Sequence, residues 1–319
     1  MIILPSSARP AAAPPFLKYP VAGMAEVEFM TIDLPVPMPA RQTIRFDGQV
    51  IIVTGAGRGL GAAYARLLAA RGGAVVVHDA GVAQDGRGFD ASVADAVASE
   101  ITAAGGMAAA CYENLEDPAA CGRVVDFAVS RFGRVDAVVH NAGIVIFATL
   151  EEIGPAVRDR MVAISVDGPF HLARAAVPYM RWQGHGRIVL TTSGRAMRVE
   201  DCVPGLIAYS AAKMAQVGLM VGLAAELRDS GIHVNAISPV AATRVLRRSA
   251  PELTPEFVAP AVAFLASSTC KTSGTVLHAA GGRFSAAWWD HNGEFDLGPI
   301  PVSPEDFAVR WQQITRSSL

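Results

Sequence analysis

The stretch "QVIIVTGAGRGLG", residues 49–61, drives a run of β-branched residues straight into a glycine loop and then into the helix-forming "AAYARLLAAR". A nearly unbroken apolar run of this length reads as a strand covered on both faces. Gly55, Gly59 and Gly61 let the backbone turn tightly and approach a pyrophosphate without a Cβ in the way. Arg58 and Leu60 complete the loop, and the helix that follows offers unpaired N–H groups and the positive end of its dipole to phosphate. The loop is answered 24 residues after Gly55 by Asp79, which closes the next apolar run, "AVVVHD" (74–79). A carboxylate there accepts from both adenosine ribose hydroxyls and repels a 2′-phosphate. Arg58 would offset a 2′-phosphate, but no basic residue replaces or directly follows Asp79, so the pattern favours NAD over NADP.

Outward from this unit the alternation repeats. Further strand candidates are 107–113, 135–143, 187–193, 233–239 and 274–282, and amphipathic stretches occupy 60–71, 91–104, 118–131, 156–181 and 210–229. Seven strands separated by helices predict an α/β Rossmann fold: a single domain over 44–283 built on a doubly wound seven-stranded parallel sheet flanked by helices. Residues 1–43 are Pro-rich, with 8 of the 20 prolines before residue 41, and are expected to form a flexible arm. Residues 284–319 read as a C-terminal extension: an aromatic loop, then a short helix with Ser303 as N-cap and Glu305 and Asp306 in its first turn.

Composition sets the outer limits. Hydrophobic residues make up 51% of the 319, mean hydropathy is +0.33 and the net charge is −2, which predict a well-buried globular protein without a nucleic-acid or membrane partner. No uninterrupted apolar run reaches the roughly 18 residues of a membrane span. The four cysteines form no CxxC pair and no cluster with histidine, so reduced core thiols are expected rather than a metal site or disulfides. No secretory signal is evident at the N-terminus, and a cytoplasmic location is the expectation.

The chemistry concentrates in "YSAAK", residues 209–213. Only three of the 27 basic residues are lysine, and Lys213 stands four residues after Tyr209, on the same face of a helix. A free phenol titrates near about 10, so a tyrosine acting as a base at neutral pH needs a neighbouring cation. A compact ammonium with three rotatable donors suits that task while also holding two ribose hydroxyls. Upstream, "RIVLTTS" ends a strand at Ser193, whose hydroxyl is positioned to hold a substrate oxygen.

Taken together, "TGAGRGLG", "HNAG" at 140–143, the serine closing the fifth strand and "YSAAK" resemble the short-chain dehydrogenase/reductase superfamily over about 45–283. The resemblance implies hydride transfer between NAD(P) and a carbonyl/alcohol pair. Tyr209 is then the catalytic acid/base, Lys213 its electrostatic partner and ribose ligand, and Ser193 the ligand of the substrate oxygen. It also implies that Asn114, Leu115, Asn141, Ala142, Gly143, Pro239 and Thr243 line the cofactor groove. A narrower likeness rests on the insertion "VAQDGRGFDAS", on "NAISPVAATR", "LTPEFVAPAVAFLAS" and "SPEDFAVRW". These are similar to the (3R)-hydroxyacyl-CoA dehydrogenase unit of the peroxisomal D-specific multifunctional enzyme and its single-domain bacterial relatives. That likeness implies a small-molecule substrate, a 3-hydroxyacyl-CoA ester or steroid-like secondary alcohol, and a homodimer or homotetramer sharing the apolar helices at 156–181 and 204–229.

Some residues depart from the family pattern. Ser165 stands where many members carry an asparagine, "PV" at 239–240 replaces the usual "PG", and 16 residues rather than about 13 separate Ser193 from Tyr209. In "TRVLRRSAPE", where the family places its substrate lid, Arg244, Arg247 and Arg248 are candidates for CoA phosphates, and Trp288 and Trp289 for an apolar cap. Reduction of a 3-oxoacyl thioester, quinone or terpenoid is the alternative to alcohol oxidation. A non-catalytic NAD-binding regulator is opposed by the joint presence of Ser193, Tyr209 and Lys213.

Overall fold

A computed structural model describes residues 43–83, 86–242, 251–287 and 303–315. Apart from its last residue, the Pro-rich arm expected over 1–43 lies outside these residues, as do Thr243, the arginines of 244–248, Trp288 and Trp289.

The apolar runs form β1 (Val50–Thr54), β2 (Ala74–His78), β3 (Met107–Cys111), β4 (Ala137–His140), β5 (Gly186–Thr191), β6 (Ile232–Val240) and β7 (Val276–Ala280). They lie in one sheet in the order β3-β2-β1-β4-β5-β6-β7, every pair parallel. The central strands are buried along their whole length because each face is covered by helices. On one face, Ile51 and Val53 of β1 pack with α1 (Gly59–Ala70), α2 (Ser92–Ala103) and α7 (Ala259–Ala266). On the other, Val50 and Ile52 pack with α3 (Pro118–Phe132), α5 (Gly168–Gln183) and α6 (Ile207–Glu226).

Three features depart from the sequence reading. An eighth strand, β8 (Arg283–Ala287), pairs antiparallel with β7 where an aromatic loop was expected. The link is the two residues Gly281 and Gly282, at φ +52° and +78°, a backbone that matches the twist of a two-residue hairpin and that other residues rarely adopt. The helix expected over 156–181 is divided into α4 (Pro155–Val162), a π-helical segment (Ala163–Asp167) and α5. Pro169 supplies the physical reason. It has no N–H for the Ser165 carbonyl four residues back, and its ring would press on that carbonyl in α geometry, so the wider turn relieves both. Finally, α6 is long and apolar enough by composition to cross a membrane, although its longest uninterrupted apolar run, 217–225, falls well short of a membrane span. It packs instead against β5 and β6, with Lys213 and Gln216 buried.

The helix expected in the C-terminal extension is α8 (Pro304–Ile314). Ser303 caps it, its Oγ accepting the Asp306 N–H at 3.2 Å while Asp306 accepts the Ser303 N–H at 3.0 Å.

Candidate active site

Strand order reverses between β1 and β4, and the carboxyl ends of these strands frame a crevice of the kind that binds ligands in open parallel sheets. The glycine loop opens it. Gly55 has φ +63°, and a Cβ there would stand 2.9 Å from the Ala142 Cα, so only glycine permits this turn against the "HNAG" segment. The first turn of α1 has no capping side chain and no acidic residue, which leaves its N–H groups and dipole available to an anion. Arg58 lies at the rim with its Nη1 3.4 Å from the Val82 carbonyl.

Asp79 follows β2, and its carboxylate is already oriented: Oδ2 accepts the Gly57 N–H at 2.9 Å and Oδ1 the Gly81 N–H at 2.8 Å. A Cβ on Gly57 would press to 3.0 Å from Asp79 Oδ2, so Gly57, which sequence reading passed over, lets the glycine loop close onto the residue that follows β2. Asn114, just beyond β3, spends its Oδ1 on the Glu116 N–H of its own loop at 3.1 Å, and Leu115 is buried in the core. Pro239 is part of β6, paired with Ala279 of β7.

Thr54 and His140 are directly paired across β1 and β4. Thr54 Oγ1 accepts the N–H groups of both Asn141 and Ala142 at 3.1 Å, while Asn141 Nδ2 donates back to the carbonyls of Thr54 and Gly55 at 3.2 and 3.1 Å. With two donors on its oxygen, Thr54 sends its own proton to His140 Nδ1 at 3.1 Å, which leaves the ring proton on Nε2. His140 is fully buried, and burial first, then the charges of Lys213 and His78, push its pKa down to about 3. It is a neutral strut holding the "HNAG" turn to the glycine loop. Thr54 and His140 each open a quoted motif, but the sequence does not show that they pair. Their role emerges only when β1 and β4 become neighbours.

Ser193, Tyr209 and Lys213 meet at the end of β5. Two bonds rivet α6 to that strand end: Lys213 Nζ donates to the Thr191 carbonyl at 2.6 Å, and Thr192 Oγ1 donates to the Lys213 carbonyl at 2.7 Å. Ser193 caps the short 3₁₀ turn Gly194–Ala196, its Oγ accepting the Arg195 N–H at 3.3 Å. Lys213 Nζ lies 5.9 Å from the centre of the Tyr209 ring. Gly143 sits opposite, where a Cβ would stand 3.4 Å from Nζ and 3.8 Å from the Ser165 Oγ of the π segment.

Burial raises the Tyr209 pKa, opposed first by the Ser193 hydroxyl and then by the charge of Arg195. The cation expected to draw the phenol down was Lys213. In this arrangement burial lowers the Lys213 pKa itself to about 8. Arg195 was not anticipated from the sequence, since nothing in the local pattern marks it.

The comparisons with known proteins identify the family. The family model for short chain dehydrogenases matches residues 49–252, and the chain belongs to that family, whose members bind NAD(P) and act on CH–OH groups. It is 39% identical over 274 residues to a short-chain type dehydrogenase/reductase of Mycobacterium tuberculosis, covering 84% of this chain and 94% of the relative. It is 37% identical to the peroxisomal multifunctional enzyme type 2 of Mus musculus, covering 85% of this chain but 37% of that longer enzyme. The crystal structure of a short chain dehydrogenase from Mycobacterium avium superposes with a TM-score of 0.74 at 35% identity, covering 84% of this chain and 95% of the other. Two further similar structures hold NADH (TM-score 0.67, 30% identity, 75% and 95% covered) and NADP (0.61, 32%, 72% and 96%).

Proposed function

We propose that the protein is an NAD-dependent dehydrogenase that oxidises the secondary alcohol of a 3-hydroxyacyl-CoA or a steroid-like substrate. The observation that carries this reading is the convergence of Ser193, Tyr209 and Lys213 at the end of β5, beside the glycine loop. NAD over NADP is favoured by the Asp79 carboxylate, held ready by the Gly57 and Gly81 N–H groups. The acyl-CoA substrate is favoured by likeness to the multifunctional enzyme.

The N–H groups opening α1, together with Asp79 and the Asn141–Gly143 turn, would hold the dinucleotide, which when bound supplies the hydride acceptor. Ser193 Oγ donates to the substrate oxygen and fixes it against Tyr209. The Tyr209 phenolate takes the hydroxyl proton as the C–H bond breaks, the role of a general base. Lys213 keeps a positive charge beneath the phenol ring, anchored by the Thr191 carbonyl. The test is NADH formation from 3-hydroxyacyl-CoA and steroid alcohols, with NADP in parallel. NAD-dependent turnover supports the proposal, and turnover only with NADP, or only in the reductive direction, contradicts it. A homodimer or homotetramer is proposed as well, supported by exposed apolar Phe170 and Trp182 on α5 and Val221 on α6. Size-exclusion chromatography with light scattering tests it.

A further inference from the structure

Arg195 carries a charge that the proton transfer does not consume. It is the middle residue of the 3₁₀ turn that Ser193 caps, and its backbone is fixed on both sides of the reacting centre. Its N–H bonds Ser193 Oγ at 3.3 Å, and its carbonyl accepts the hydroxyl of Ser210, the residue after Tyr209, at 3.1 Å. Its side chain is half-buried, and its charge reaches the Tyr209 phenol.

The acids of the same loop are engaged elsewhere: Glu200 and Asp201 face Arg198 at 3.5 and 4.0 Å. Arg195 forms no ion pair among the described residues. Phe147 and Leu150 after β4 and Val199 after β5 are exposed, and the two loops are joined by the Ala148 N–H bonded to the Gly205 carbonyl at 2.9 Å. A half-buried guanidinium with no ion pair among the described residues gains by meeting an oxygen acceptor, and its planar fork suits a carbonyl or carboxylate.

We propose that Arg195 is a specificity-determining residue that binds an acyl oxygen of the substrate close to the reacting carbon. The assignment rests on the dehydrogenase reading above. Ser193 and Tyr209 fix the reacting oxygen next to Arg195, so only an acceptor a few bonds from the reacting carbon comes within reach of its guanidinium. In a 3-hydroxyacyl compound the acyl carbon is two bonds from the carbinol carbon. A plain secondary alcohol of equal length has no such acceptor. The acyl oxygen belongs either to a thioester or to a free carboxylate.

The experiment compares kcat/KM of wild type, R195M and R195K for 3-hydroxyoctanoyl-CoA, free 3-hydroxyoctanoate and 2-octanol, with NAD. Any influence of Arg195 through Tyr209 acts on all three substrates and cancels in the ratio of acyl substrate to 2-octanol. Loss of a charge-assisted hydrogen bond lowers that ratio roughly tenfold to a hundredfold in R195M, and R195K restores part of it. A fall confined to the CoA ester assigns the thioester carbonyl, and a fall confined to the free acid assigns the carboxylate; both support the proposal. An unchanged ratio for both acyl substrates overturns it, and R195Q, which also removes the charge, supplies the same reading where R195M does not fold. Wild type that binds NAD yet forms no NADH from any of the three overturns the dehydrogenase reading itself.

Discussion

Lys213 owes its identity to where it lies. Its ammonium is buried, bonded to the Thr191 carbonyl at 2.6 Å, and sits under the Tyr209 ring. A guanidinium is broader and presents a rigid fork, so Lys213→Arg keeps the charge but displaces it. The expected outcome is a loss of roughly a hundredfold or more in kcat, measured by NADH formation. Burial also links this residue to pH. Its folded pKa is lowered from 10.5 to about 8, so between these values the unfolded chain binds more protons than the native one. The Lys213 contribution to stability is therefore least favourable below pH 8 and improves as pH rises toward 10.5. Urea unfolding of wild type and Lys213→Met across this range checks the sign: wild type gains stability relative to the variant as pH rises. The four-residue spacing, read together with its place after the strand that ends at Ser193, made the Tyr–Lys pair legible in the sequence. The desolvation of both groups was not, because it depends on α6 being pinned to β5.

At the scale of elements, the Thr54–His140 strut shows what a linear reading misses. Both residues open quoted motifs, Thr54 in "TGAGRGLG" and His140 in "HNAG", but nothing in either motif says that the two side chains meet, and together they hold the Asn141–Ala142 backbone against the glycine loop. His140→Leu removes the acceptor of the Thr54 proton in a fully buried place, and a loss of about 1–3 kcal/mol in chemical denaturation is expected, with weaker NAD binding. Strands and helices were legible as elements because period and glycine punctuation agree along the chain. The π segment and β8 were not read, although each has a local cause: Pro169 disrupts the α turn at Ser165, and the Gly281–Gly282 pair reverses the chain. Both signals were present as residue types, but their meaning required a helix axis and a neighbouring strand. The helix capped by Ser303 was legible because its capping box is local.

Over the whole molecule, the parallel sheet brings residues from distant parts of the chain to one edge: Gly55 and Asp79, proposed to hold the nucleotide, and Ser193 and Tyr209, proposed to hold the substrate. This division makes cofactor choice separable from chemistry. Asp79→Ala removes the carboxylate held by Gly57 and Gly81, and the ratio of kcat/KM with NAD to that with NADP is expected to fall by roughly tenfold or more, while turnover at saturating cofactor persists. The central claim is that Tyr209 moves the proton in an NAD-coupled oxidation, and one paired measurement addresses it directly. NAD binding and NADH formation from a 3-hydroxyacyl-CoA are measured for wild type and Tyr209→Phe. The account predicts equal NAD binding and turnover reduced by a thousandfold or more, on the order of the general-base contribution. A Tyr209→Phe enzyme that binds NAD and turns over at the wild-type rate would contradict it.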